Sequence, residues 1–162
     1  MKFLRHFQTE LEPGTPVSEW RLSEKGRKEM QKFVRENNFD IDIVYTSTER
    51  KAVKTARRIA EKADAELVKT ELLCEVDRSG EGFVEDHDRY VNLVEDYLNG
   101  GKKADWEDQE EMRERFHEFI EMAEGNSLAV THGIFLSLNV PEYEKVDFWH
   151  ELGFGQIVHY DF

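Results

Sequence analysis

The chain has 162 residues, of which 35 are acidic and 22 are Lys or Arg, so its formal net charge is −13. This excess of acid disfavours sequence-independent binding to nucleic acid or to an anionic membrane surface, since both need a basic surface. One cysteine excludes an internal disulfide framework, no apolar run has the length of a transmembrane helix, and 39% hydrophobic residues argue against a disordered chain.

The first third of the chain alternates short apolar runs with amphipathic ones. A short strand is predicted at 2–4, and the prolines and glycine of 10–20 predict a loop. An amphipathic helix follows at 23–37, with the serine at its start as N-cap. The β-branched run 41–45 predicts the second strand, and a second amphipathic helix runs from 48 or 49 to 62.

The middle of the chain contains a third strand and two longer helices. The strand is predicted at 66–70, before an irregular polar stretch at 71–82. Apolar residues at helical spacing then predict helices at 83–98 and 106–123. We expect residues 72–105 to form a small cap or insertion, because the chain offers no other room for one.

The last part of the chain returns to apolar strands. A core strand is predicted at 128–130, a short helix at 134–140 and a closing strand at 157–160. Strands separated by helices indicate an α/β fold, a three-layer α/β/α arrangement with a mostly parallel sheet covered on both faces. We expect one soluble, cytoplasmic domain over residues 1–162, and the sequence specifies no oligomeric state.

Three of the predicted strands end in histidine or in cationic residues. Arg5 and His6 follow the first strand, Arg50 and Lys51 follow the second, and His132 follows the strand at 128–130. Because ligands of such sheets bind beyond the carboxyl ends of the strands, these side chains are expected at one rim. Two imidazoles among cations suit a phosphoryl group, since Arg binds two phosphate oxygens and a neutral His is a nucleophile.

A zinc site is the competing interpretation of the same histidines. His6 and His132 could be ligands, with Glu75 or Asp77 as a third. Neighbouring arginines, however, raise the electrostatic cost of adding a dication, and the sequence has no HExxH or CxxC spacing. We therefore expect a phosphate site without a metal or another cofactor.

Several segments, in the same order, resemble those of the histidine phosphatase (phosphoglycerate mutase-like) superfamily. LRHFQTE is similar to its RHGET or RHAES signature, and WRLSEKGRKEM to the segment after it. IVYTSTERKAVKTARRIAE resembles the segment that opens the second helix, LLCE its acid motif, and LAVTHGIFL its late strand end. The closing FWHELGFGQIVHYDF is compatible with small members of the family.

This resemblance implies roles for individual residues. His6 would be the nucleophile that becomes phosphohistidine, Arg5 would hold the phosphate, and His132 would lie on the opposite side of the pocket. Thr9 falls at the threonine of the signature, where its hydroxyl would bind phosphate. Gly133, at the late strand end, is placed with the phosphate-binding residues.

The resemblance leaves the acid and the second cation open. Glu75 is at the position of the general acid that protonates the leaving oxygen, and Asp77 is the alternative. Strict register puts Lys51 where the family has its second catalytic arginine, whereas Arg50 lies about 100° away around the helix. Phe7 replaces the glycine of the signature, where it could narrow access to the pocket.

Together the residues and the resemblance predict a metal-independent phosphatase. Its substrate would be a phosphomonoester, either a small molecule or a phosphorylated protein side chain, hydrolysed through phosphohistidine. Two alternatives are a weakly active or inactive phosphate-binding member of the same fold and a phosphohistidine protein phosphatase.

Overall fold

The computed structural model describes residues 1–141 and 144–160, so residues 142, 143, 161 and 162 of the predicted domain lie outside the described part. The described strands form one sheet. They are β1 (Lys2–Arg5), β2 (Ile43–Ser47), β3 (Glu66–Thr70), β4 (Ser127–Thr131) and β5 (Ile157–His159). Their order in the sheet is β3-β2-β4-β1-β5, and only β5, antiparallel to β1, departs from the parallel direction.

The helices connect these strands. They are α1 (Glu24–Glu36), α2 (Arg50–Ala63), α3 (His87–Leu98), α4 (Gln109–Met122), α5 (Gly133–Ser137) and α6 (Lys145–Glu151). Single 3-10 turns form at Val17–Glu19 and Glu71–Leu73. Among the described residues, no helix combines the length and apolarity needed to cross a membrane.

Two helices begin later than the sequence predicts, and one helix was not predicted. Helix α3 begins at His87 rather than 83 because the Asp86 carboxylate accepts a hydrogen bond from the backbone of Arg89 at 2.8 Å. In the same way the Asp108 carboxylate accepts from the backbone N–H of Glu110. Helix α4 therefore begins at Gln109, three residues after its predicted start. Helix α6 was not predicted; it is short, and its partly buried aromatic residues pack on the core.

Alternating side chains of the strands build a core on each face of the sheet. Phe3 is buried with residues of α3, α4 and α5, whereas the neighbouring Leu4 is buried with residues of α1 and α2. Burying one such side chain contributes roughly 1.5–3 kcal/mol. The molecule is therefore the three-layer α/β/α structure that the sequence predicts, with a mostly parallel sheet.

The register of the central strands decides which residues meet at their carboxyl ends. Strand β1 pairs Arg5 with Thr131 of β4, and the backbone N–H of His6 donates to the Thr131 carbonyl at 3.0 Å. His6 and His132 are therefore the next residues on adjacent strands. Strand β2 lies on the other side of β4 and brings Ser47 to the same edge.

Candidate active site

The two histidines at the strand ends lie against each other. Their ring centroids are 5.0 Å apart, with 63° between the ring planes, and both side chains are buried. His6 Nδ1 lies 2.7 Å from the carbonyl oxygen of Phe7. Because a carbonyl only accepts, Nδ1 carries the hydrogen and donates it, which leaves Nε2 of a neutral ring with its lone pair free.

Burial and nearby cations keep both imidazoles neutral. Burial lowers the pKa of His6 well below its usual value, and His132, Lys51 and Arg5 lower it further. The pKa of His132 is also well below its usual value, first because of burial and then because of neighbouring cations. The neutral form of His6, with the lone pair of Nε2 free, is therefore favoured.

Arg5 is held beside the histidines by its surroundings. Its guanidinium donates to the backbone carbonyl of Leu152 and lies 4.1 Å from the ring centroid of Phe154. A Cβ atom on Gly133 would lie 3.1 Å from the guanidinium carbon, so the absence of a side chain there makes room for Arg5. Arg5 Nε is buried and has no hydrogen-bond partner in the part of the chain that the structure describes.

Phe154 also lies against His6. Its ring centroid is 5.7 Å from that of His6, and the residue is 41% exposed on its outer side. Glycines precede and follow it, and Gly155 has a φ of +71°. Phe154 therefore forms an aromatic cover over Arg5 and His6.

Glu75 faces the start of α5. Its carboxylate accepts hydrogen bonds from the backbone amides of Ile134 at 3.1 Å and Phe135 at 2.8 Å. Burial raises the pKa of Glu75, and the neighbouring Glu49 carboxylate raises it further, although hydrogen bonds from backbone amides oppose this. A carboxyl group with a raised pKa is suited to donate a proton.

Lys51 turns inward from the first turn of α2 and forms a buried ion pair with Glu49. Lys51 is 3% exposed and Glu49 is 8% exposed. The Lys51 ammonium donates to the Glu49 carboxylate and, at 2.8 Å, to the carbonyl of Val17. Glu49 Oε1 accepts from the backbone N–H of Glu75 at 2.8 Å and lies 3.3 Å from His132 Nε2. The second cation at the site is thus a lysine that already has an anionic partner.

Two of the predicted site residues, Arg50 and Thr9, lie elsewhere, whereas Asp77 lines the same cavity as Glu75. Arg50 is exposed and lines another groove, whereas Lys51 is buried and points inward. Thr9 forms an isolated bridge with Leu22 and lines another surface groove. Asp77, the alternative acid, is exposed and accepts from the backbone of Ser79 at 2.9 Å. Of the two carboxylates, Glu75 is the one that accepts hydrogen bonds from the backbone amides just after Gly133.

Phe7 does not narrow the pocket as the sequence suggested. It is buried, and its ring lies 5.5 Å from the ring of Phe33 in the core beneath α1 and α2. A Cβ atom on Gly155 would lie 2.3 Å from the Phe7 ring. The large side chain of Phe7 is thus accommodated by the glycine across from it.

Sequence reasoning missed two polar residues at the site. Glu49 directly precedes Arg50 and Lys51, the two cations considered for the site, and an acidic residue at that place is the signal that could have identified it. Ser47 follows directly from its position at the end of β2, where its hydroxyl lies 2.8 Å from His132 Nε2. The same hydroxyl accepts from the backbone N–H of Glu49 at 3.1 Å and so links β2 to the start of α2.

The described residues provide no set of ligands for the alternative zinc site. Within residues 1–141 and 144–160, no three His, Cys, Asp or Glu side chains form a group that could hold a metal ion. Cys74 contacts the hydroxyls of Ser47 and Thr48 at 3.4 and 3.2 Å, as expected of a packing residue.

Comparison with known proteins relates the chain to one family. A sequence model of the histidine phosphatase superfamily (branch 1) matches residues 1–156. No curated protein matches the chain in sequence.

Several solved structures share the fold. YhfR of Bacillus stearothermophilus is 20% identical, with a TM-score of 0.73 over 99% of this chain and 90% of that one. Phosphoserine phosphatase of Entamoeba histolytica, in complex with phosphoserine, is 17% identical, with a TM-score of 0.68 over 96% and 87%. The α-ribazole phosphatase of Shigella flexneri is 20% identical, with a TM-score of 0.65 over 96% and 87%.

Proposed function

From the premise that this chain belongs to the histidine phosphatase superfamily (branch 1), and so to a family of phosphomonoester hydrolases, we propose how it acts. It hydrolyses a phosphomonoester without a metal, through a phosphohistidine formed on His6. The observation that carries this proposal is the hydrogen bond from His6 Nδ1 to the Phe7 carbonyl, at 2.7 Å. It fixes the tautomer in which Nε2 is the nucleophile, in a ring that burial keeps neutral.

In the first step His6 Nε2 attacks phosphorus. The Nε2–P bond forms as the bond from phosphorus to the leaving oxygen breaks, and the proton of Glu75 goes to that oxygen. Arg5, His132 and Lys51 stabilise the charge of the transferred phosphoryl oxygens. Arg5 Nε, buried and without a partner among the described residues, is a donor available for this purpose.

In the second step water attacks the phosphohistidine. The Glu75 carboxylate, now ionised, takes a proton from the water as the P–Nε2 bond breaks. Inorganic phosphate leaves, and His6 and Glu75 return to their starting protonation states. The sum of the two steps is one phosphomonoester and one water giving one alcohol and one phosphate.

The substrate class is a small phosphorylated molecule, or a phosphorylated side chain that reaches the site. The likeness in fold to enzymes whose names specify phosphoserine and α-ribazole phosphate supports a small phosphomonoester. A cavity of about 620 Å³, lined by Glu49 and Glu75 among others, lies beside the site and offers room for the leaving group.

The proposal is tested by assaying an aryl phosphate in excess chelator and by trapping the intermediate. We expect steady hydrolysis with chelator present, and a phosphoenzyme that is stable in alkali and labile in acid, as a P–N bond is. Rates that vanish with chelator and return with zinc would contradict the metal-independent reaction. A phosphoenzyme stable in acid would contradict phosphohistidine.

The role of Glu75 predicts a dependence on the leaving group. Glu75→Gln removes the proton donor, so hydrolysis of an alkyl phosphate should fall about 10²–10⁴-fold. The leaving group of an aryl phosphate can be a weak base, which leaves readily without a proton. The phosphorylation step should therefore slow much less for such a substrate. Glu75 must be protonated to donate to the leaving oxygen, and its pKa is raised. The kcat/KM of wild type should therefore fall as pH increases through that pKa. This alkaline decline should disappear in the variant.

The control for this experiment is Asp77→Asn, which removes the exposed carboxylate nearby. It should leave both the leaving-group dependence and the pH profile unchanged. The comparison uses kcat/KM, which reports only the phosphorylation step and not the later hydrolysis of phosphohistidine. Equal losses of kcat/KM for alkyl and aryl phosphates in Glu75→Gln would show that Glu75 does not act as the general acid.

A second candidate function is phosphate binding with little or no turnover. The observation that favours it is the buried ion pair of Lys51 with Glu49, because the carboxylate neutralises the cation that would otherwise face the phosphoryl group. A protein of this kind would bind phosphate analogues but give no hydrolysis above the His6→Ala background.

A further inference from the structure

A groove on the α2 side of the molecule is lined mostly by cationic side chains, although the chain as a whole is acidic. It has a volume of about 420 Å³, and its lining carries six cationic side chains against one carboxylate, Glu19. These six cations define what we term the basic groove: Arg21, Arg27, Arg50, Lys54, Arg57 and Lys69. All six are exposed. Such a concentration is unexpected in a chain of net charge −13.

Most of these cations have no anionic partner. Arg21 pairs with Glu12, and Arg27 donates to a backbone carbonyl. The other four form no hydrogen bond or ion pair among residues 1–141 and 144–160, although the Glu12 carboxylate also attracts Arg50. Arg58, adjacent to Arg57 but outside the groove lining, pairs with Glu61 at 2.6 Å. Cations elsewhere in the chain thus commonly form ion pairs. Most of those in the groove do not, so they are available to bind an anion from solution.

The arrangement of the cations indicates the shape of that anion. Arg50, Lys54 and Arg57 lie at helical spacing on one face of α2, so they repel one another and cover about 10 Å. A row of this length matches two or three successive phosphate groups. A longer polyanion, such as nucleic acid, would extend beyond the groove onto an acidic surface that repels it. A compact oligophosphate is therefore the ligand class that fits.

The groove adjoins the cavity that lies beside the site. Thr48 lines both the basic groove and the cavity that contains Glu49 and Glu75. We propose that the basic groove is a second anion subsite, and that the substrate is a compact phosphomonoester carrying at least one further phosphate, which the groove holds. This inference rests on the proposed function for the reaction at His6, while binding in the groove can be measured independently.

Binding is tested with inorganic tripolyphosphate and two matched variants of the intact protein. Lys54→Gln/Arg57→Gln removes two cations from the groove, and Arg58→Gln/Lys62→Gln removes two exposed cations of the same helix outside it. We expect the first pair to weaken tripolyphosphate binding in calorimetry by about tenfold or more, and the second to change it little. Equal affinities for the two variants would overturn the subsite.

The substrate class is tested with an alkanediol bisphosphate and the alkyl monophosphate of the same length. Wild type should show a higher kcat/KM for the bisphosphate, and Lys54→Gln/Arg57→Gln should remove this preference while leaving the monophosphate rate unchanged. Equal kcat/KM values in wild type would overturn the assignment of substrate. If neither ester is hydrolysed but the groove variant still loses tripolyphosphate, the proposed function fails and the anion subsite stands.

Discussion

Replacing His6 with asparagine should lower kcat/KM for an aryl phosphate by about ten-thousand-fold or more. The variant has no nitrogen at the position of Nε2, so the phosphoryl group has no acceptor on the protein. Its side-chain amide can still donate to the Phe7 carbonyl, which preserves the buried hydrogen bond that His6 Nδ1 makes at 2.7 Å. The loss should therefore be one of chemistry and not of folding.

Two measurements separate these causes. The thermal unfolding temperature of His6→Asn should stay close to that of wild type, and phosphoenzyme should no longer be trapped. His117→Ala, which removes an exposed imidazole on α4, should keep the wild-type rate. If His6→Asn is folded and retains more than about a tenth of the rate, the nucleophile is another group.

Breaking the buried pair of Glu49 and Lys51 should have the largest effect on stability. Lys51→Met leaves the Glu49 carboxylate buried without its cation, next to the carboxyl of Glu75. Removing one partner of a buried ion pair costs about 3–5 kcal/mol of the free energy of unfolding. We expect losses of this size for Lys51→Met and for Glu49→Gln, measured by urea denaturation.

The double variant Glu49→Gln/Lys51→Met is the control, because it removes both charges. Its loss should be far smaller than the sum of the two single losses. Phosphate should stabilise Glu49→Gln more than it stabilises wild type, since the freed Lys51 ammonium then faces the anion site. Additive losses, or no difference in stabilisation by phosphate, would show that the pair is not coupled to the site.

The sheet and the proximity of the histidines could be predicted because both follow from local pattern and strand direction. Residues that end parallel strands share one edge, so His6 and His132 had to be neighbours once β1 and β4 paired. The antiparallel direction of β5 has no such signal. Nothing in the composition of Ile157–His159 distinguishes a parallel from an antiparallel edge strand.

The direction of side chains at the start of α2 could not be predicted. Arg50 and Lys51 are one residue apart, and helical pattern alone leaves open which of them faces the site. The choice depends on contacts with distant residues, because the ammonium of Lys51 reaches the Val17 carbonyl from outside the helix. The direction of the Glu49 side chain could not be predicted for the same reason, since its carboxylate accepts from the distant backbone amide of Glu75.

The aromatic cover at Phe154 links turnover to motion. His6 is only 6% exposed, and the Phe154 ring lies against it and against Arg5. A substrate that reacts at His6 must reach a side chain that is almost wholly buried, so we expect the Phe154 ring to move aside for each substrate molecule. The frequency of this opening then sets a ceiling on the catalytic rate, however reactive the imidazole is.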